Sequence, residues 1–72
     1  MSERQDLQVI ANLVPEGSRV LDLGCGDGEL LAHLIAHRGC RGYGIEWDSA
    51  NVERCVSRNV NVIQYNLDEG LA

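Results

Sequence analysis

The sequence predicts an α/β fold: a parallel three-stranded sheet of spatial order 3-2-1 with flanking helices. Three observations carry this reading. Short apolar runs alternate with segments of helical periodicity, each long enough to return the chain for another parallel pass. A glycine-rich turn, Gly24-Cys25-Gly26-Asp27-Gly28, leads directly from the first apolar run into an amphipathic segment. An acidic residue, Glu46, ends the second run 22 positions after Gly24.

The elements follow in chain order. Ser2 and Gln5 have capping-box spacing, and Leu7, Ile10, Ala11 and Val14 recur at helical intervals, which predicts a helix over residues 3–14. Pro15 closes it, and Glu16-Gly17-Ser18 turns the chain. Residues 19–23 form the first strand, apolar on both faces apart from Asp22, the pattern of a strand covered by helices on both sides. After the glycine turn, the stripe Leu30, Leu31, Leu34 and Ile35 predicts a helix over 28–37. Asp27 or Gly28 begins it, His37 and Arg38 suit the dipole of its last turn, and Gly39 ends it.

Residues 41–46 form the second strand, where Gly42 and Gly44 leave one face open to a close neighbour while Tyr43 and Ile45 face the other way. Asp48 or Ser49 caps a helix over 49–58 with Val52, Cys55 and Val56 on one side, and Asn59 suits a left-handed C-cap. Residues 60–65 supply the third strand, followed by the polar loop Asn66-Leu67-Asp68-Glu69-Gly70. Right-handed crossovers give the order 3-2-1, and ligands of such sheets bind beyond the carboxyl ends of the strands. Gly24, Glu46 and Asn66 all stand at that edge.

Composition narrows the function. A chain of 72 residues makes one domain at most, and one this short buries only about 60% of the surface its unfolded form exposes. Eleven acidic residues against six basic ones give a net charge of -5, the wrong sign for neutralising nucleic-acid phosphates. Three cysteines, none in a C-x-x-C pair, suit a reducing cytosol rather than a disulfide framework or zinc site. With no apolar run of membrane-span length, the expected location is cytoplasmic.

The glycine turn is built for contact, since bare peptide groups at Gly24, Gly26 and Gly28 let a ligand approach the backbone. A dinucleotide fold would need Gly-x-Gly-x-x-Gly, but Glu29 stands at the third glycine's position. Asp22, two residues before the turn, suits an ammonium group better than a pyrophosphate. Acid-x-Gly-x-Gly-x-Gly after a first strand resembles the signature of the Rossmann-like S-adenosylmethionine-dependent methyltransferases. From Leu7 to Ala72 the chain is similar to the N-terminal part of the methionine biosynthesis protein MetW family.

The resemblance implies a Rossmann-like three-layer sandwich, of which this chain supplies the N-terminal part, and S-adenosylmethionine as cofactor. It places Asp22, Gly24 and Gly26 against the methionine portion of the cofactor and Glu46 on the ribose hydroxyls. Trp47 becomes a wall for the adenine, with Asn66 and Leu67 at the adenine edge. Asn66 stands where the family usually has an aspartate, so any bond to the adenine amino group is accepted without charge. Each main residue has a structural alternative: Asp22 tying down turn amides, Glu46 ending a strand in solvent, Trp47 filling core.

Other readings fail on chemistry. His33 and His37, with Glu29 one turn earlier, have metal-stripe spacing but lie away from Leu30, Leu34 and Ile35 and face water. Cys25 sits beside Asp22 and Asp27, which raise a thiol pKa, so it is a small turn residue rather than a nucleophile. No Gly-Lys-Ser/Thr follows the turn, as a P-loop requires.

Two functions remain. One is the cofactor-binding half of a methyltransferase-like protein, with no catalytic residue of its own. The other is a non-catalytic or regulatory module for a partner, which by family resemblance is homoserine O-acetyltransferase. In either case the first strand presents an apolar edge guarded only by Arg19, which invites self-association or leaves the isolated chain short of stability.

Overall fold

A computed structural model of the chain describes residues 3–66. Ser2 and Leu67, singled out above as a helix cap and an adenine neighbour, lie outside the described residues, as does most of the polar loop that begins at Asn66. The element order is α1 (Glu3–Leu13), β1 (Arg19–Leu23), α2 (Glu29–Arg38), β2 (Arg41–Glu46), α3 (Ser49–Ser57) and β3 (Val62–Gln64). The three strands form one parallel sheet in the order β1-β2-β3, with Asp22 opposite Gly44 and Gly44 opposite Val62. None of the described helices is long and apolar enough to cross a membrane.

The local signals act largely as the sequence indicates. Gly28 takes the left-handed conformation at the start of α2, with φ 82°, while the Asp27 carboxylate accepts from Glu29 N at 3.0 Å. Gly39 ends that helix in the same conformation. Arg38, in the last turn, reaches across to donate to Val14 O at 2.8 Å and so pins the end of α1 to α2. Asp48 caps α3 by accepting from Asn51 N at 3.3 Å.

The third strand is shorter than the sequence suggests, and the C-cap of α3 explains why. Asn59 has φ 61°, its N–H donates to Val56 O, and Val60 N donates to Cys55 O at 2.9 Å. This double closure commits residue 60 to the helix cap, and its side chain is buried beneath α3. Pairing with β2 therefore begins only at Asn61, whose carbonyl accepts from Gly44 N at 2.8 Å.

The core has two parts joined by Val20. One gathers Cys25, Leu31, Cys55 and Val60, and the other Ala11, Leu34 and Cys40; Val20 packs against both. Helix faces are narrower than the sequence stripes. Leu31 and Leu34 are fully buried while Ile35 lies at the rim, Cys55 is buried while Val56 is exposed, and Ala11 is buried while Ile10 is exposed.

One expectation is corrected. The apolar run on both faces of β1, which suggested helices on both sides, meets helices on one side only among the described residues. Val20 and Asp22, on the helical face, are partly buried, whereas Leu21 and Leu23 are 62% and 59% exposed. Tyr43 and Ile63 share that open face at 56% and 51%. Successive right-handed crossovers stepping in one direction put α2 and α3 on the same side of the sheet. Helix α1 packs beside α2, through Ala11 and Leu34, rather than across the sheet.

Close approach explains Gly44. A β-carbon there would collide with the Sγ of Cys25 and lie 2.8 Å from its Cβ, so the bare strand position is what lets the turn fold down onto β2. Gly26, by contrast, has open space where its β-carbon would be and needs glycine only for its φ of 59°. Gly44→Ala should therefore cost about 1–3 kcal/mol through overpacking. Gly26→Ala should cost about 1–2 kcal/mol through backbone strain alone, toward the lower part of the range for Gly44→Ala. Chemical denaturation of the two variants checks the order.

Candidate functional site

The site lies where β1 runs out. Beyond Leu23, the N–H groups of Gly24 and Cys25 both donate to Ile45 O, at 2.8 and 3.1 Å, so the turn is hung on the end of β2. Gly28 N closes it by donating to Cys25 O at 3.1 Å. The Cys55 thiol donates to Gly26 O at 3.2 Å from below, and Arg58 reaches Asp27 at 3.5 Å. Helix α3 thus braces a turn that belongs in sequence to α2.

Glu46 is the most tightly held of the sequence-selected residues. It is 2% exposed. Its Oε1 accepts from Gly26 N at 2.8 Å and its Oε2 from Asp48 N at 3.0 Å, so one carboxylate joins the glycine turn to the cap of α3. This removes the reading of Glu46 as a solvated strand end. It also removes the alternative role considered for Asp22, because the acid that holds a turn amide is Glu46. Each carboxylate oxygen retains a further acceptor position.

Asp22 is half-buried on the helical face of β1 and accepts no hydrogen bond from the described residues. Burial pushes its carboxyl above the ordinary value, since desolvation penalises the charged form. An anionic group without a donor among the described residues, at the mouth of a bare turn, is suited to a cation.

Trp47 is not core: it is 55% exposed. Its ring edge roofs Gly24, where a β-carbon would meet Cζ3 at 3.4 Å and Cη2 at 3.5 Å. Its backbone is fixed by Gln64, whose Nε2 donates to Trp47 O at 3.3 Å and to Ser49 Oγ at 2.8 Å. Asn66 is exposed just past β3, next to Tyr65, whose N–H donates to Glu46 O at 3.0 Å. The structure brings the turn, Asp22, Glu46 and Trp47 together at one sheet edge.

Two contributors were not legible in the sequence. Cys55 reads there only as an inward helix position, yet its sulfur lies 3.7 Å from that of Cys25, 30 residues away. Gln64 reads only as a strand residue. Cys25 itself has its thiol pushed up to about 12, chiefly by burial, then by Cys55, Asp22 and Glu46, in the direction expected from its acidic neighbours. His33 and His37 face each other with ring centroids 4.6 Å apart. They border a groove between the helices that contains none of the site residues, and no metal-holding group of three donors occurs among the described residues.

Comparison with known proteins places this geometry. The sequence profile of the methionine biosynthesis protein MetW family matches residues 4–72. The bifunctional methionine biosynthesis protein MetXA/MetW of Rhodopirellula baltica is 36% identical over 74 residues, covering 92% of this chain and 12% of its own length. A probable tRNA (uracil-O(2)-)-methyltransferase of Caenorhabditis elegans is 33% identical over 60 residues, covering 83% of this chain and 10% of its own.

Among solved structures, an S-adenosylmethionine-dependent methyltransferase from Thiobacillus denitrificans in complex with S-adenosyl-L-homocysteine superposes with a TM-score of 0.80. It is 26% identical, and the match covers 94% of this chain and 32% of that one. An RNA methyltransferase from Salinibacter ruber, also in complex with S-adenosyl-L-homocysteine, gives 0.81 at 26% identity, covering 97% and 52%. The chain spans about a tenth of the two sequence relatives and a third to a half of these two structures. The fold is that of the Rossmann-like methyltransferases, and the chain belongs to the methionine biosynthesis protein MetW family.

Proposed function

We propose that this chain is the S-adenosylmethionine-binding part of a methyltransferase-like protein acting in methionine biosynthesis. The observation that carries the reading is the pair of carboxylates around the bare turn: Asp22, half-buried and without a donor among the described residues, and Glu46, fixed against Gly26 N. S-adenosylmethionine offers complementary groups, an ammonium, a sulfonium and a ribose diol, and when bound it supplies an already activated methyl group.

In this reading Asp22 faces the ammonium. Gly24 and Gly26 let the methionine portion lie against the backbone, and the open β-carbon position of Gly26 leaves it room. The remaining acceptor positions of Glu46 take the ribose hydroxyls. Trp47 offers its indole face to the adenine. Asn66 accepts from the adenine amino group, with Leu67 beside it, both roles resting on family resemblance. No residue is assigned to catalysis, and positioning of the two reactants is the whole protein's task.

A second reading is a non-catalytic module that supports homoserine O-acetyltransferase. It is favoured by the Rhodopirellula relative, whose name joins MetXA and MetW in one bifunctional protein. Three unpaired thiols agree with a cytoplasmic setting. The β1 edge and the exposed side chains of its Leu21 and Leu23 support self-association of the isolated chain.

Calorimetric titration tests the first reading. S-adenosylhomocysteine is expected to bind the chain, and Glu46→Gln to weaken binding by tenfold or more. The glutamine amide would oppose one backbone N–H donor with another, which also costs about 1–3 kcal/mol of stability. Absence of binding by a folded wild-type chain favours the partner reading.

Asp22→Asn should separate binding from stability. Because the folded chain raises this carboxyl's pKa, the fold binds the proton more tightly than the unfolded chain does. Asp22 therefore detracts from stability once the pH has risen above its ordinary value. The asparagine variant should melt higher than wild type at pH 7, by a smaller margin at pH 4, and bind S-adenosylhomocysteine more weakly. Thermal scans at the two pH values check the sign.

Sedimentation should show concentration-dependent association of the wild-type chain. Leu21→Lys and Leu23→Lys together should shift it toward monomer; unchanged association would locate the contact elsewhere.

A further inference from the structure

We propose that Cys25 and Cys55 are a disulfide-forming pair whose oxidation changes the geometry of the glycine turn. Their sulfurs are in contact at 3.7 Å, directly beneath the turn. The surroundings hold them there. Gly44 has no side chain where the Cys25 thiol sits, and a β-carbon on Gly28 would come 2.9 Å from Cys55 Sγ. The third thiol, Cys40, belongs to the other core cluster and lies near Pro15 O and Arg38 O instead. A bond of about 2.05 Å requires the contact to shorten by about 1.7 Å from its present 3.7 Å.

That movement falls on the turn. Cys55 gives its S–H to Gly26 O at 3.2 Å, while Gly26 N is bound to Glu46. Forming the disulfide removes the donor beneath Gly26 and draws Cys25 toward α3, with a glycine on either side able to absorb the change. The consequence for cofactor binding rests on the function proposed above; the cross-link itself does not.

The oxidant is hydrogen peroxide. One sulfur, as thiolate, attacks a peroxide oxygen; the O–O bond breaks, giving a sulfenic acid and hydroxide, which takes the released proton to become water. The second sulfur attacks the sulfenic sulfur, the S–S bond forms, and hydroxide leaves with the second proton as water. Two thiols and one peroxide yield one disulfide and two waters; both sulfurs are oxidised and both peroxide oxygens reduced. The protonated state of Cys25 at neutral pH makes the reaction slow there and faster as pH rises. Burial of both sulfurs makes it depend on opening of the turn.

The test uses the reduced 72-residue chain exposed to hydrogen peroxide, then alkylated and analysed by intact mass and peptide mapping. A parallel sample is oxidised in denaturant. The expected product has lost two hydrogens, joins Cys25 to Cys55 and leaves Cys40 alkylated. Cys40→Ser should give the same product, and Cys55→Ser none. The emission of Trp47, the single tryptophan and a neighbour of Gly24, should shift on oxidation and return with a dithiol. Where the reduced chain binds S-adenosylhomocysteine, affinity should fall about tenfold and recover in step.

Failure to cross-link, the same mixture of pairs as in denaturant, or a Cys25–Cys55 disulfide that leaves Trp47 emission unchanged would overturn the proposal. A reduced chain that does not bind S-adenosylhomocysteine would instead overturn the functional reading, with the mass and emission results still deciding this one.

Discussion

A carboxylate taken out of water needs donors, and Glu46 finds two of them in the backbone. Gly26 N and Asp48 N belong to different segments, the turn before α2 and the start of α3, and the carboxylate holds both. The rest of the site depends on this bridge. It fixes where the glycine turn stands relative to β2, and the paired bonds from Gly24 and Cys25 to Ile45 O complete the attachment. Trp47 then roofs Gly24 because it follows Glu46 directly. One acidic side chain therefore organises the backbone of the site and is also offered to a ligand's hydroxyls in the proposed function.

Beneath the bridge, packing replaces charge. The turn rests on sulfur: Cys25 fills the space that Gly44 leaves, and Cys55 fills the space that Gly28 leaves. Small polarizable side chains let two helices, a strand and a turn meet within one contact distance, where larger residues would force the turn away from the sheet. The same closeness makes the two thiols chemically relevant to each other. Asp22 stands at the margin of this packed region, partly desolvated and without a donor among the described residues, so its charge works against stability.

Among the described residues, the sheet is covered on one side only. Helices cover the face of Val20, Gly44 and Val62, while Leu21, Leu23, Tyr43 and Ile63 remain open. The chain also spans about a third of the Thiobacillus methyltransferase it superposes on. The part that carries the glycine turn and Glu46 nevertheless has its own core, centred on Leu31, Leu34 and Cys55.

Local chemistry was legible in the sequence. Gly28 and Gly39 bound α2, Asp48 and Asn59 bound α3, and the spacing from Gly24 to Glu46 marked the turn and the acid that meet at the sheet edge. These signals are written in neighbouring residues, through backbone conformation and capping, so they survive without knowledge of the partner surfaces. The apolar residues on both faces of β1 were misleading about the second layer of helices, because a buried pattern does not say which chain segment does the covering. Only the tertiary structure assigned the turn's anchor to Glu46 rather than Asp22, placed Trp47 over Gly24 and set Cys55 against Cys25. Each of those depends on distances between segments 20 or more residues apart, which the parallel register and two crossovers decide and no local pattern encodes.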